Sequence, residues 1–139
     1  MKLPVFSIQW HITTNCEQRC KHCCLFNSLE GKKEIRDSKF IGFKELKLIA
    51  DNLVSSSHEM GARPRMSITG GNPMLHPDFW ELLNYINSLN IKMMILGNPF
   101  NITDKVARRL KANNIDKFQL SLDGMKDFHD KMRKKGFFR

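Results

Sequence analysis

Two hydrophobic periods alternate along this chain, and that alternation constrains the fold more than any single residue does. Phe6, Ile8, Trp10 and Ile12 recur at every second position, the period of a strand. Phe43, Leu46, Ile49, Ala50, Leu53 and Val54 then recur at helical spacing, up to a stop near Gly61. A short strand is expected over 66–69, and Phe79, Leu82, Leu83, Ile86 and Leu89 mark a second helix with Pro77 or Asp78 in its first turn. A third strand is expected over 92–96. Thr103 can cap a third helix carrying Val106, Ala107 and Leu110, which the Asn113-Asn114 pair ends. Phe118, Leu120 and Leu122 mark a fourth strand, and a last, incomplete helix starts at Met125. The polar, glycine-containing stretch 27–38 is expected as a loop. Four β/α units in one domain over 1–139 imply a parallel sheet joined by right-handed crossovers.

Composition fixes the broad class. With 41% hydrophobic and 27% charged residues, the chain lies among folded globular proteins and outside the disordered regime. No run approaches the roughly 18 apolar residues of a membrane span, and MKLPVFSIQWH lacks a signal peptide's apolar core, so the expected location is cytoplasmic. Thiols stay reduced there. Four cysteines within positions 16–24 are therefore read as metal ligands in preference to disulfides. The formal charge is +9, but five of the cations fall in the last nine residues, 131–139. A solvated helix face explains that tail as well as a docking surface does, and nucleic acid is not an expected partner.

The strands carry polar residues on their second face: Ser7, Gln9, His11 and Thr13, then Ser67 and Thr69, then Gln119, Ser121 and Asp123. Strands covered on both faces usually read as continuous apolar runs. Two readings stay open, a half-exposed sheet with one solvated face and a curved sheet whose concave face lines a polar cavity. Ligands on such sheets sit at the carboxyl ends of the strands. The cysteine segment, Gly70-Gly71 and Asp123-Gly124 all fall there.

Cys16, Cys20 and Cys23 form a CxxxCxxC spacing directly after the first strand. Three thiolates on a short loop can take three corners of an iron-sulfur cubane and leave the fourth iron open to a small molecule. Zinc competes, because four cysteines, or three with His22, make tetrahedral sets. Structural zinc sites, however, usually pair two knuckles distant in sequence, and a second knuckle is absent from this sequence. Adjacent cysteines rarely ligate one cubane, so Cys24 is expected as a buried small apolar side chain.

With His22 in the aromatic place, this segment resembles the CxxxCxΦC signature of the radical-SAM superfamily. Ser67 to Pro73 (SITGGNP) resembles that family's GGEP motif, and Gln119 to Gly124 (QLSLDG) its fourth-strand motif. His129 to Arg133 (HDKMR) resembles the HDxxR often found in the peptide-modifying, SPASM-type branch. Three motifs in register are strong evidence where one would be moderate.

The resemblance implies a role for each residue. Cys16, Cys20 and Cys23 ligate a 4Fe-4S cluster, and His22 lies along the adenine of S-adenosylmethionine. Gly70 and Gly71 let the backbone approach the methionyl amino group. Ser121 and Asp123 hydrogen-bond the ribose. Asn72 stands where the motif has glutamate, which removes a charge but keeps a carbonyl acceptor for the cofactor. The implied reaction is reductive cleavage to methionine and a 5'-deoxyadenosyl radical, which abstracts hydrogen from a substrate, a peptide by the same resemblance. No catalytic residue is assignable beyond the cluster ligands. The implied partners are an electron donor of the reduced flavodoxin or ferredoxin type and a completing chain or C-terminal region. The family's core is a partial (β/α)6 barrel, and at about 30 residues per β/α unit this chain supplies four units. An α/β, truncated partial barrel is therefore expected. The alternative function is a non-catalytic zinc or iron-sulfur module with a basic docking tail.

Overall fold

The computed structural model describes residues 3–37 and 41–138. Ser38 and Arg139, which end two of the stretches above, lie outside the described residues. Four parallel strands, β1 (Val5–Thr13), β2 (Arg63–Gly70), β3 (Lys92–Leu96) and β4 (Ile115–Gln119), lie side by side in chain order. Right-handed crossovers between strands in that order put every crossover helix on one face, whereas a doubly wound sheet reverses its order midway. The crossover helices are α3 (Phe43–Glu59), α4 (Phe79–Ser88) and α5 (Asp104–Ala112).

The apolar period decides which face they cover. Met66, Ile68, Met93 and Ile95 point into a core closed by Leu46 and Ala50 of α3 and by Phe79, Leu82, Leu83 and Ile86 of α4. Each of these side chains except that of Ala50 contributes about 1.5–3 kcal/mol on burial. The opposite face is polar on β1 and β2, while β3 places Met94 and Leu96 there. Ser7, Gln9 and His11 are exposed on β1, while Ser67 and Thr69 are buried at the middle of the sheet. β1 and β4 are the two edges, so the described strands form part of a barrel.

Local signals place the helix ends. Thr103 Oγ1 accepts from Val106 N at 3.3 Å, as expected of a cap. Asn114 adopts φ 53° just beyond α5, the left-handed conformation that asparagine tolerates.

Two expectations need correction. The stretch 27–38 is not a plain loop, because α1 (Cys24–Asn27) is followed by α2 (Leu29–Asp37). Gly31 makes this packing fit: a Cβ there would lie 2.2 Å from Cys24 O and 2.6 Å from Leu25 Cα, so α2 can rest on α1 only without one. The second concerns β4, which stops at Gln119 instead of continuing through Leu122. Pairing with β3 ends at Leu96↔Gln119, and Leu122, with no further strand beside it, is 71% exposed. Among the described residues no helix is long and apolar enough to cross a membrane.

Candidate functional site

Beyond Thr13 the chain leaves β1, runs through the cysteine loop and enters α1. Cys16, Cys20, Cys23 and His22 line a cavity of about 300 Å³ at the carboxyl ends of the strands, together with Gly70, Gly71 and Ser121. Four of the loop's carbonyls, those of Cys16, Gln18, Cys20 and Cys23, are satisfied, which helps fix its course. Arg19 donates to Cys16 O and Gln18 O and stacks on Phe26 at 4.1 Å, while Asn27 Nδ2 donates to Cys20 O at 2.8 Å and Cys23 O at 3.1 Å. Lys21 N donates to Met132 O at 2.8 Å, tying the loop to α6 (Lys126–Met132).

The sulfurs meet donors. Cys16 Sγ accepts from Gln18 N and from Asn98 Nδ2, each at 3.4 Å. Cys20 Sγ donates to Gln18 Oε1 at 3.2 Å and lies 3.7 Å from Arg133 Nη1. Burial pushes the Cys20 thiol up, and the guanidinium pulls it the other way without cancelling the effect. Among the described residues no group of three His, Cys, Asp or Glu converges as one metal ion requires. Zinc needs its thiolates within about 4 Å of one another, given Zn–S bonds of about 2.3 Å. A cubane seats each on a different iron, set wider apart. Cys16, Cys20, Cys23 and Cys24 share the cavity wall, and the N–H donors on Cys16 with a cation beside Cys20 suit thiolates that hold a metal cluster.

The other expected residues divide into two groups. His22, Gly70, Gly71 and Ser121 line the cavity. The space at the glycines is taken by backbone: a Cβ on Gly70 would lie 2.2 Å from Thr13 O, and one on Gly71 2.2 Å from Asn15 O. They let the end of β2 pack against the start of the cysteine loop. Asn72 is fully buried, off the cavity wall, and donates through Nδ2 to Glu17 Oε1 at 2.7 Å and Oε2 at 3.0 Å. Asp123 turns toward α6, where its Oδ1 accepts from Arg133 Nη2 at 3.1 Å and its Oδ2 lies 2.6 Å from Arg133 Nε. That second contact is close but lacks hydrogen-bond alignment. Burial alone would raise the Asp123 carboxyl, but Arg133, with His22 and His129, holds it below the usual carboxylate range.

Two expectations about single side chains are corrected here. Cys24 is exposed, because it opens α1 with Leu25 taking the buried position. Arg133 belongs to the basic tail, yet its side chain is only 12% exposed and is not part of a solvated face. The sequence reading missed Gln18, Asn98 and Glu17. A signal for Asn98 was present, since Gly97-Asn98-Pro99 repeats Gly71-Asn72-Pro73 at the end of the next strand.

A parallel, partly closed sheet with a thiol-bearing loop over the end of its first strand defines an α/β protein of the partial (β/α)-barrel class. The chain belongs to the Radical SAM superfamily, whose match spans residues 10–139. Mycofactocin maturase MftC of Mycobacterium tuberculosis is 33% identical over 132 residues, covering 94% of this chain and 31% of that protein. The chain thus spans under a third of that curated relative's length. Two solved structures share the fold. BtrN in complex with AdoMet and 2-DOIA superposes with a TM-score of 0.68 at 19% identity, covering 90% of this chain and 49% of that one. Streptococcus suis SuiB bound to precursor peptide SuiA gives 0.61 at 20% identity, covering 95% and 27%.

Proposed function

We propose that this chain is part of a radical SAM enzyme, acting in the cytoplasm, that binds a 4Fe-4S cluster through Cys16, Cys20 and Cys23 and S-adenosylmethionine at the remaining iron. The observation that carries this reading is that Cys16, Cys20 and Cys23 line one cavity, which Cys24 also borders, with N–H donors directed at the sulfurs of Cys16 and Cys20. When bound, the two cofactors supply reductive cleavage of a sulfonium and hydrogen abstraction, chemistry that belongs to the cofactors themselves.

The chain's residues bind and orient. Asn98 and Arg133 place donors on Cys16 and Cys20, which stabilises negative charge on sulfur. From the wall of that cavity His22 would flank the adenine, Ser121 would offer its hydroxyl to the ribose, and the backbone at Gly70 and Gly71 would receive the methionyl group. Asp123 acts from one step behind, by holding Arg133 beside Cys20. No side chain is required as an acid or base to begin the reaction.

The proposed substrate is a peptide. The HDKMR stretch supports this, as does the likeness of fold to SuiB, solved with its precursor peptide. A second cavity of about 420 Å³ shares Gln18, Gly97, Asn98, Ser121 and Arg133 with the first, and Phe100, Ile102 and Leu122 on its wall can take an apolar side chain. A C-terminal region or completing chain would pair with the outer edge of β4, and a reduced flavodoxin or ferredoxin would deliver the electron.

Anaerobic reconstitution with iron and sulfide tests the proposal. Brown protein with about four irons per chain is expected, its spectrum shifted by S-adenosylmethionine, and Cys16→Ala, Cys20→Ala and Cys23→Ala should each abolish both. Colourless protein carrying one zinc would overturn the reading in favour of a metal-binding module.

A further inference from the structure

Position 72 departs from the motif it resembles, and in the structure the departure is matched elsewhere. Asn72 has no exposed surface, so both ends of its amide must find partners inside the fold. They do. Oδ1 accepts from Met74 N at 3.3 Å, and Nδ2 bridges the two carboxylate oxygens of Glu17, 55 residues earlier and between Cys16 and Cys20. Two backbone bonds run alongside, Gly71 N to Thr13 O at 2.8 Å and Asn72 N to Asn15 O at 2.7 Å, but they hold the chain only as far as Asn15. The Asn72 side chain is what carries the grip of the β2 end into the cysteine segment itself.

We infer that Asn72 and Glu17 form a matched amide–carboxylate latch that locks the cysteine loop onto the end of β2. An ionised carboxylate cannot donate, so an acid at 72 facing Glu17 would set two like charges together at hydrogen-bond distance. The asparagine at 72 and the glutamate within the cysteine spacing are therefore one feature, each residue fitting the other. Asn72 acts as a positioning residue for the loop. Its consequence for metal loading rests on the cluster reading above, whereas the latch itself is a property of the metal-free chain.

The test uses the full chain without metal and reads the alkylation rate of each cysteine by mass spectrometry. Cys20 is buried at 8% exposure and reacts through opening of the loop, while exposed Cys24 is an internal control. Asn72→Asp should speed alkylation of Cys20 by about tenfold, the loss of one charge-assisted bond. Cys24 should not change. Combining Asn72→Asp with Glu17→Gln reverses the polarity of the pair, since a glutamine at 17 can donate to an aspartate at 72, and should bring the Cys20 rate back to within about twofold of the native chain. Should Asn72→Asp alone fail to fold, Glu17→Ala, on the half-buried loop, should raise the Cys20 rate in the same direction. The latch is overturned if Cys20 reacts at the native rate in the single variants, or if the reversed pair reacts as fast as Asn72→Asp. Failure of the native chain to load iron while these rates behave as stated would sink the cluster reading and leave the latch standing. Normal loading with unmoved rates would sink the latch alone.

Discussion

The same tripeptide, Gly-Asn-Pro, ends the turn after β2 and the turn after β3, and in each the asparagine reaches the cysteine loop. Asn72 is wholly buried and grips the Glu17 carboxylate, while Asn98, on the cavity wall, donates to Cys16 Sγ. The glycines differ more sharply. A Cβ on Gly71 would meet three backbone atoms of Thr14 and Asn15 at 2.2 to 2.9 Å, whereas one on Gly97 would meet Phe118 Cζ at 3.3 Å and Asn72 Oδ1 at 3.4 Å. Backbone cannot retreat from an added methyl, but a ring tip can. One turn is thus a rigid seat for the loop and the other an adjustable wall of the cavity, and what lies opposite each glycine makes the difference.

Substitutions can break or sharpen this contrast. Gly71→Ala should have the largest effect, a loss of about 3 kcal/mol in chemical denaturation, from overpacking against fixed backbone. A loss below about 1 kcal/mol would show that the seat is not rigid.

The segment after β4 has no such turn, and in it Asp123 pairs with Arg133, just beyond α6. Arg133→Met should cost about 2 kcal/mol at neutral pH by leaving a mostly buried carboxylate uncompensated. The sign with pH follows from the lowered Asp123 value. The pair's contribution is present above the unfolded carboxyl pKa of about 3.9 and is lost as pH falls through the lower folded one. Denaturation curves from pH 6 down should show that loss in the native chain but not in Arg133→Met.

Asn98→Ala should cost about 1 kcal/mol or less. If Cys16 holds the cluster as proposed, the variant's signature should be a more negative reduction potential in reconstituted protein, because a hydrogen bond to the ligating sulfur is removed. An unchanged potential would mean that Asn98 shapes the wall without tuning the sulfur. The smallest effect is expected for Gly97→Ala, within about 0.5 kcal/mol of native stability, since Asn72 Oδ1 at 3.4 Å is already at ordinary contact and only the ring tip of Phe118, at 3.3 Å, has to give. If it were as damaging as Gly71→Ala, the two turns would be alike after all.

Much of this was legible in the sequence because it is local. Period two along β1, helical spacing along α3, α4 and α5, and the Thr103 cap depend on neighbours a few residues away, and the structure has them where the pattern put them. The signals that misled were local ones overridden by packing. Gly31 suggested a loop but serves a close helix contact, and Leu120 with Leu122 suggested a longer strand but has no partner beyond Leu96. The cysteine spacing named the thiols. It could not name Glu17, Gln18, Asn98 or Arg133 as their supports.

The sequence by itself determined the alternating elements, the single sheet they imply and the trio of thiols after the first strand. Only the tertiary structure decided who attends those thiols: Asn98 reaches Cys16 across 82 residues, and Arg133 reaches Cys20 across 113. The physical reason is one of range. Backbone preference and hydrophobic period act within a few residues, whereas a hydrogen bond to sulfur needs two side chains placed to within a fraction of an ångström by the register of four strands.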